Sequence, residues 1–167
     1  VAPTPAQVEE LSAGPLHRPG QDRRLDAVKL FLDGTLGGHT ACMHAPYADA
    51  PGAGMLTLDE DDAYRRMVDA HTAGLQICVH AIGDRANRTT LDLFDRLRRE
   101  HPAEAAASRH RVEHASVLDE ATVERFAEAG VSAVVQPISL RSEERWLAKR
   151  LGDDRIGRVY PFRSLLD

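Results

Sequence analysis

The chain has 167 residues, of which 43% are apolar and 28% are charged, and its formal net charge is −5 at pH 7. This composition excludes a disordered chain, and the lack of a basic patch interleaved with aromatics argues against nucleic acid as a partner. No apolar run approaches the roughly 20 residues of a membrane helix, and two cysteines cannot form a disulfide framework. We therefore expect a cytoplasmic protein with no nucleic-acid or membrane partner.

The predicted elements alternate between strands and helices after an irregular beginning. Residues 1–25 contain four prolines and are expected to form an irregular connection with one short helix, whereas residues 26–167 form the folded domain. Alternation of apolar and polar residues predicts four strands, at 27–32, 75–80, 109–114 and 131–135. Helical spacing and end signals predict helices after 57, after 84, over 119–129 and over 143–151.

Two helix starts carry specific signals. Residues 57–60 have the capping-box pattern with Thr57 as N-cap, and Asp84 is placed to cap the helix after the second strand. Right-handed βα crossovers make the four strands parallel neighbours. Polar residues at the strand ends of one face fit an arc of a barrel better than an open sheet, which is apolar on both faces. The predicted fold class is α/β, a partial (β/α)8 TIM barrel of four βα units.

Two histidines end predicted strands on consecutive βα units. The carboxyl ends of barrel strands carry catalytic groups, and neutral imidazole is a good ligand for zinc and similar metals, so His80 and His114 are candidate ligands. Two buried histidines bonded to neighbouring backbone explain the same spacing, and the residues alone leave both interpretations open. Period 2 places Glu113 on the opposite face from His114, and His110 on the same face, as barrel filler or as a partner of a ligand.

Lys29 lies on the inward face of the first predicted strand, where a charge is costly unless it is paired or removed. Three uses fit it: pairing with a carboxylate such as Asp33, acting as a Schiff-base nucleophile, or reacting with carbon dioxide to form a metal-bridging carbamate. The long glycine-rich loop that follows is typical of a binding loop, so His39 is a candidate for substrate contact. Asp84 and Arg85 either bind substrate or only cap the helix and form ion pairs.

Four motifs in chain order resemble the amidohydrolase superfamily, and more narrowly the amidohydrolase-3 group, which includes N-substituted formamide deformylase. They are VKLFLDGTLG at 28–37, VHAIGDRA at 79–86, RHRVEHA at 109–115 and VQP at 135–137. The resemblance covers about residues 26–167, and the order of four motifs makes it specific.

This resemblance implies a metal-dependent hydrolase. Lys29 would be a carboxylated ligand on the fourth barrel strand, and His80 and His114 would be ligands ending the fifth and sixth. One or two divalent ions, usually zinc, would activate water for attack on an amide or related carbon–nitrogen bond of a small molecule. The candidate substrate contacts are Asp33, His39, Asp84, Arg85 and Gln136.

Two parts of the family's ligand set have no counterpart in this sequence: a His-x-His pair on the first strand and an aspartate on the eighth. The chain is therefore expected to be a fragment covering barrel strands four to seven, inactive alone and with an empty or partly filled metal site. Two alternatives stay open. One is a non-catalytic half-barrel that self-associates as a homodimer to cover its strand edges. The other, more distant, is a Schiff-base lyase that uses Lys29.

Overall fold

The computed structural model describes residues 27–102 and 109–166, and in them four parallel strands form one sheet in the order β1-β2-β3-β4. The strands are β1 (Ala27–Phe31), β2 (Gln76–Ala81), β3 (Arg111–His114) and β4 (Ser132–Val134). The helices of these residues are α1 (Glu60–Thr72), α2 (Asp84–Glu100), α3 (Glu120–Ala129) and α4 (Pro137–Leu151). This arrangement confirms the predicted fold class, a partial (β/α)8 barrel of four βα units. The connection predicted at 1–25 lies outside the described residues.

One face of the sheet packs against the helices and carries the main hydrophobic core. Leu30, Ile77, Val79 and Val112 alternate along their strands on this face, and each is at most 2% exposed. Burying one such side chain contributes about 2 kcal/mol. The alternation fixes the orientation of each strand, so the residues between these four face the barrel interior.

The interior face is polar and is built in rows, because residues paired in register lie side by side across parallel strands. One row consists of Lys29, Cys78 and Arg111, and the next row towards the carboxyl ends consists of Phe31, His80 and Glu113. The prediction that Glu113 faces away from the interior is therefore wrong. Val112 is buried against the helices, so strand alternation directs its two neighbours, Arg111 and Glu113, to the barrel interior.

The first helix begins at a different cap from the predicted one. Asp59 is the N-cap of α1, since its side chain accepts a hydrogen bond from the backbone N–H of Asp62. Thr57, the predicted cap, instead donates its hydroxyl to the carbonyl of Phe31 at the end of β1. Thr57 thus connects the segment before α1 to the end of β1 and does not cap the helix.

Two further helices start earlier than predicted. Gly83 is the N-cap of α2 and offers no side chain for capping, so Asp84 is the first helical residue and not the cap. Its carboxylate nevertheless interacts favourably with the positive, N-terminal end of the helix dipole. Helix α4 begins at Pro137, a residue whose fixed φ and missing N–H suit the first helical turn. Within the described residues, no helix is both long and apolar enough to cross a bilayer.

The β1–α1 loop, residues 32–59, packs against α4 through a second hydrophobic cluster. Leu36 and Met43 of the loop and Leu147 of α4 are each at most 2% exposed. Arg150 of α4 donates to the carbonyl of Leu36 at 2.7 Å and pairs with Asp49 at 3.1 Å. The long loop is therefore held at the carboxyl end of the sheet by apolar packing against α4 and by hydrogen bonds that Arg150 donates to carbonyl groups of the loop.

A buried histidine pair lies at the opposite, amino-terminal end of the sheet. The N–H of Ile77 donates to Nδ1 of His110 at 3.1 Å, so a neutral His110 carries its proton on Nε2. That nitrogen lies 3.1 Å from Nδ1 of His71, whose own Nε2 lies 3.4 Å from the carbonyl of His101. This chain of hydrogen bonds, from Ile77 through His110 and His71 to His101, requires both imidazoles to be neutral. His110 also stacks on Phe94 of α2, so it lies on the helix side and is not the predicted barrel filler.

This pair is expected to make the protein less stable in acid. Burial, with a smaller effect of His71, lowers the pKa of His110 from 6.5 to about 4. The unfolded chain therefore binds a proton that the folded chain excludes, and about 2 kcal/mol of stability present above pH 6.5 is lost as the pH falls towards 4. Urea unfolding of the intact protein across this range measures the effect.

The exposed His44 supplies the control for this measurement, because its side chain is open to solvent and lies outside the buried histidine pair. The variant His110→Gln should lose most of the pH dependence of the urea midpoint, whereas His44→Gln should keep it. Equal pH dependence in the wild type, His110→Gln and His44→Gln would show that folding does not keep His110 neutral.

Candidate metal centre

His80 is the penultimate residue of β2, and two oxygen atoms set its orientation. Its Nε2 lies 2.8 Å from the carbonyl oxygen of Gly34 and 3.6 Å from Oδ1 of Asp33. Both oxygens are acceptors, so Nε2 carries the proton and Nδ1 keeps an unshared electron pair. An imidazole nitrogen with a free electron pair is a group that binds divalent cations.

His114 reaches His80 because of its backbone conformation and not because of strand alternation. It shares the parity of Val112, so a regular strand would direct its side chain towards the helices. However, φ is 78° at His114 and 46° at Ala115, in the left-handed region that residues other than glycine rarely adopt. The turn brings the two imidazole centroids to 4.5 Å, with the rings at 70° to each other. The predicted meeting of His80 and His114 is observed, for a different reason.

The surroundings of His114 favour its neutral form. Burial lowers the pKa of the His114 imidazole, and His80 and Lys29 lower it further, while a hydrogen bond with Gln136 and the charge of Glu113 oppose them. Gln136 is the N-cap residue of α4, and its hydrogen bond with His114 places its side chain near the end of β3. Since metals bind neutral imidazole, this environment suits a ligand at neutral pH.

Lys29 lies on the same interior face, one row below His80. Its Nζ is 5.5 Å from the centre of the Phe31 ring, and that ring is 5.4 Å from the His80 imidazole. Burial lowers the pKa of the Lys29 amine, and the carboxylate of Glu113 opposes this. A lowered pKa increases the fraction of neutral amine, which is the nucleophilic form. The interior position and the lowered pKa of Lys29 are therefore compatible with both the carbamate and the Schiff base predicted for it.

Asp33, a predicted substrate contact, lies beside His80 with no exposed side-chain surface. Its carboxylate accepts hydrogen bonds from the backbone N–H groups of Cys42, Ile82 and Gly83 at 2.8–3.0 Å. Burial raises the pKa of Asp33, and the three donors oppose that rise. Its burial and partners favour a role in holding the strand ends together over direct contact with substrate.

The other predicted substrate contacts lie beyond the carboxyl ends of the strands, in the β1–α1 loop and at the starts of α2 and α4. His39 Nε2 is 2.9 Å from Oδ1 of Asp49 within the β1–α1 loop. Asp84 accepts from the backbone N–H groups of His44 and Arg85, both at 2.8 Å, and the Arg85 side chain is exposed. These groups are distributed around the strand ends, and Gln136 is the predicted contact that hydrogen-bonds to a candidate ligand.

Two further residues of the interior face, Arg111 and Glu113, were not expected there from the sequence. Nε of Arg111 lies 2.6 Å from Oε1 of Glu113, and the guanidinium also donates to the side chain of Gln76. The pair forms a polar layer beside Lys29 in the rows of the sheet. Counting alternation from Val112 as a helix-facing residue would have identified both.

These donors fit part of a divalent-cation site. His80 and His114 supply two imidazole nitrogens close together, and Lys29 supplies an amine on the same face. In residues 27–102 and 109–166, no three or more His, Cys, Asp or Glu side chains are grouped so as to hold a metal ion. The imidazole chemistry fits zinc or a similar metal, and a carboxylated Lys29 would add an oxygen donor.

A model of the amidohydrolase family matches residues 6–167. Among curated proteins, the putative amidohydrolase YtcJ of Bacillus subtilis strain 168 is 35% identical over 142 residues, which are 84% of this chain and 26% of YtcJ. The protein LONG AFTER FAR-RED 3 of Arabidopsis thaliana is 35% identical over 150 residues, which are 86% of this chain and 24% of that protein. The chain therefore spans about a quarter of the length of these relatives.

A solved structure is similar over nearly the whole chain. The crystal structure of an uncharacterized metal-dependent hydrolase from Pyrococcus horikoshii OT3 superposes with a TM-score of 0.83 and 33% sequence identity. The match covers 97% of this chain and 32% of that one. The four βα units thus correspond to about a third of the larger structure.

Proposed function

This chain belongs to the amidohydrolase family, and on that basis we propose that it supplies metal ligands to a hydrolase of carbon–nitrogen bonds in small molecules. The observation that carries the proposal is the approach of the His80 and His114 imidazoles to 4.5 Å at the ends of adjacent parallel strands. Lys29, on the same face, is proposed as a further ligand in its carboxylated form. The cofactor would be zinc or another divalent metal, with one or two ions.

Each proposed ligand has a defined chemical task. A divalent ion, when bound, would polarise the substrate carbonyl and lower the pKa of the attacking water. His80 offers the electron pair of Nδ1, since its Nε2–H is donated to Gly34. Burial lowers the pKa of the His114 imidazole, which favours its neutral form. The neutral amine of Lys29 would attack carbon dioxide, forming one N–C bond and releasing one proton, to give a carbamate anion.

The loops after the strands are proposed to bind the substrate. Arg85, exposed on the first turn of α2, is accessible to an anionic group; Asp84 lies beside it in the same turn, and His39 lies in the β1–α1 loop. Gln136 is proposed to orient His114 through their hydrogen bond. The cytoplasmic location, the homodimer and the inactivity of the isolated chain stay predictions.

Metal removal from the intact protein tests the proposed function. Treatment with a chelator should reduce hydrolysis of a panel of N-formyl and N-acyl amines by about 100-fold or more, and added zinc should restore it. The metal content, measured by mass spectrometry, should fall and recover with the activity. Full hydrolysis by a metal-free protein would contradict the proposal.

The role of Lys29 has a separate readout. Native mass spectrometry should detect the added mass of one carbon dioxide in the wild-type protein and none in Lys29→Arg, which keeps the charge but cannot form the carbamate. If borohydride and a carbonyl substrate instead label Lys29, the Schiff-base alternative would be favoured, as the lowered pKa of this amine also allows it.

A further inference from the structure

Asp33 connects three parts of the chain around His80. Its buried carboxylate accepts backbone N–H groups from Cys42 in the β1–α1 loop and from Ile82 and Gly83 just after β2. Its Oδ1 also lies 3.6 Å from Nε2 of His80. A buried charge needs hydrogen-bond partners. The Asp33 carboxylate therefore depends on these three backbone donors, which lie around His80.

The position of the His80 proton depends on the same region of the chain. Gly34, whose carbonyl accepts the Nε2–H at 2.8 Å, is the residue directly after Asp33, so the carbonyl and the carboxylate are placed together. A negative charge beside an imidazole N–H stabilises the proton on that nitrogen and increases the basicity of the other nitrogen. Both oxygens therefore leave Nδ1 as the nitrogen available to a cation.

We propose that Asp33 is a positioning residue for His80, which fixes its ring and its proton so that Nδ1 acts as a strong metal ligand. This role rests on the proposed function, in which His80 binds the metal. Asp33 would act through His80 and through the loop ends that it joins, without touching the substrate, since its side chain has no exposed surface.

Asp84 provides a matched control for this role. It is also a buried carboxylate at the end of β2, and it also holds the β1–α1 loop, by accepting the N–H of His44 at 2.8 Å. Its second donor is the N–H of Arg85, and among the described residues no imidazole is paired with its carboxylate. Removing either charge should loosen the loop, but only the loss of Asp33 should change His80.

The variant Asp33→Asn keeps the shape of the side chain but removes its charge. If the amide oxygen takes the place of Oδ2, it retains the bonds from Cys42 and Gly83. The amide NH2 group then faces the N–H of Ile82 and the Nε2–H of His80, so donors oppose donors. The carbonyl of Gly34 alone would then hold the proton of His80 on Nε2, so the preference for this tautomer should weaken.

The experiment compares the intact wild-type protein with Asp33→Asn and Asp84→Asn. Zinc affinity is measured by competition with a chelator, and the His80 tautomer is measured by ¹⁵N NMR of the metal-free, histidine-labelled proteins. We expect a single Nε2–H tautomer in the wild type and in Asp84→Asn. In Asp33→Asn we expect mixed tautomers and zinc binding weaker by about 10–100-fold.

The outcomes separate this inference from the proposed function. If Asp33→Asn has the zinc affinity and the His80 tautomer of the wild type, the proposed role of Asp33 is overturned and the proposed function is not. A wild-type protein that binds no zinc would overturn the proposed function instead. If Asp33→Asn does not fold, the metal-free wild type still decides, because a proton on Nδ1 of His80 would contradict the inference.

Discussion

Replacing His80 by alanine is expected to weaken zinc binding by the intact protein by about 100-fold or more, because it removes one of the two adjacent imidazole nitrogens of the proposed site. His114→Ala should have an effect of similar size. The exposed loop residue His44 provides the control, and His44→Ala should bind zinc as the wild type does. Metal content after dialysis and chelator competition measure the three affinities.

The double variant sharpens this expectation. The imidazoles of His80 and His114 lie 4.5 Å apart, so they are proposed to bind the same ion or ion pair. Substitutions of groups that act together are not additive, and the second substitution should add little once the ion is lost. Wild-type zinc content in either single variant would contradict the proposed ligand set, as would an equal loss in His44→Ala.

The substitution Gly83→Ala is expected to lower the free energy of unfolding by more than about 3 kcal/mol, in the range of severe overpacking. A Cβ atom at Gly83 would lie 2.0 Å from the carbonyl oxygen of Cys42 and 2.5 Å from its carbonyl carbon. These are backbone atoms, which cannot rotate away as a side chain can. Moving Gly83 instead would break the hydrogen bond that its N–H donates to Asp33.

Gly157 offers a matched glycine for this prediction, since a Cβ there would meet nothing within 4 Å. Gly157→Ala should change the free energy of unfolding by less than about 0.5 kcal/mol. Urea unfolding of the intact protein and its two variants measures both changes. Equal effects of the two substitutions would contradict the close approach of the β1–α1 loop to the start of α2.

Period 2 was sufficient to predict most of the sheet, because β1 and β2 bury every second residue against the helices. Predicted bounds of 27–32 for the first strand agree with Ala27–Phe31 to one residue. The start of α4 was missed for the converse reason. Its first turn is exposed, with Ile138 73% accessible, so burial imposes no apolar spacing there.

Lys29 and His80 could be placed at the interior face from the sequence, since regular strand alternation governs both. His114 could not be placed in this way. The parity set by Val112 directs residue 114 towards the helices, and the left-handed conformations at His114 and Ala115 reverse it. Residues other than glycine rarely adopt that conformation, and no glycine or asparagine near residues 114–115 indicates it in the sequence.

Contacts from distant parts of the chain hold this turn in place. The N–H of Ala115 donates to the carbonyl of Ala81 at 3.1 Å, and the N–H of Val117 donates to Ile82 at 3.0 Å. Strand ends and candidate ligands are therefore encoded in local patterns of residues. The meeting of the two imidazoles depends on hydrogen bonds between neighbouring strand ends, which exist only once the sheet has formed.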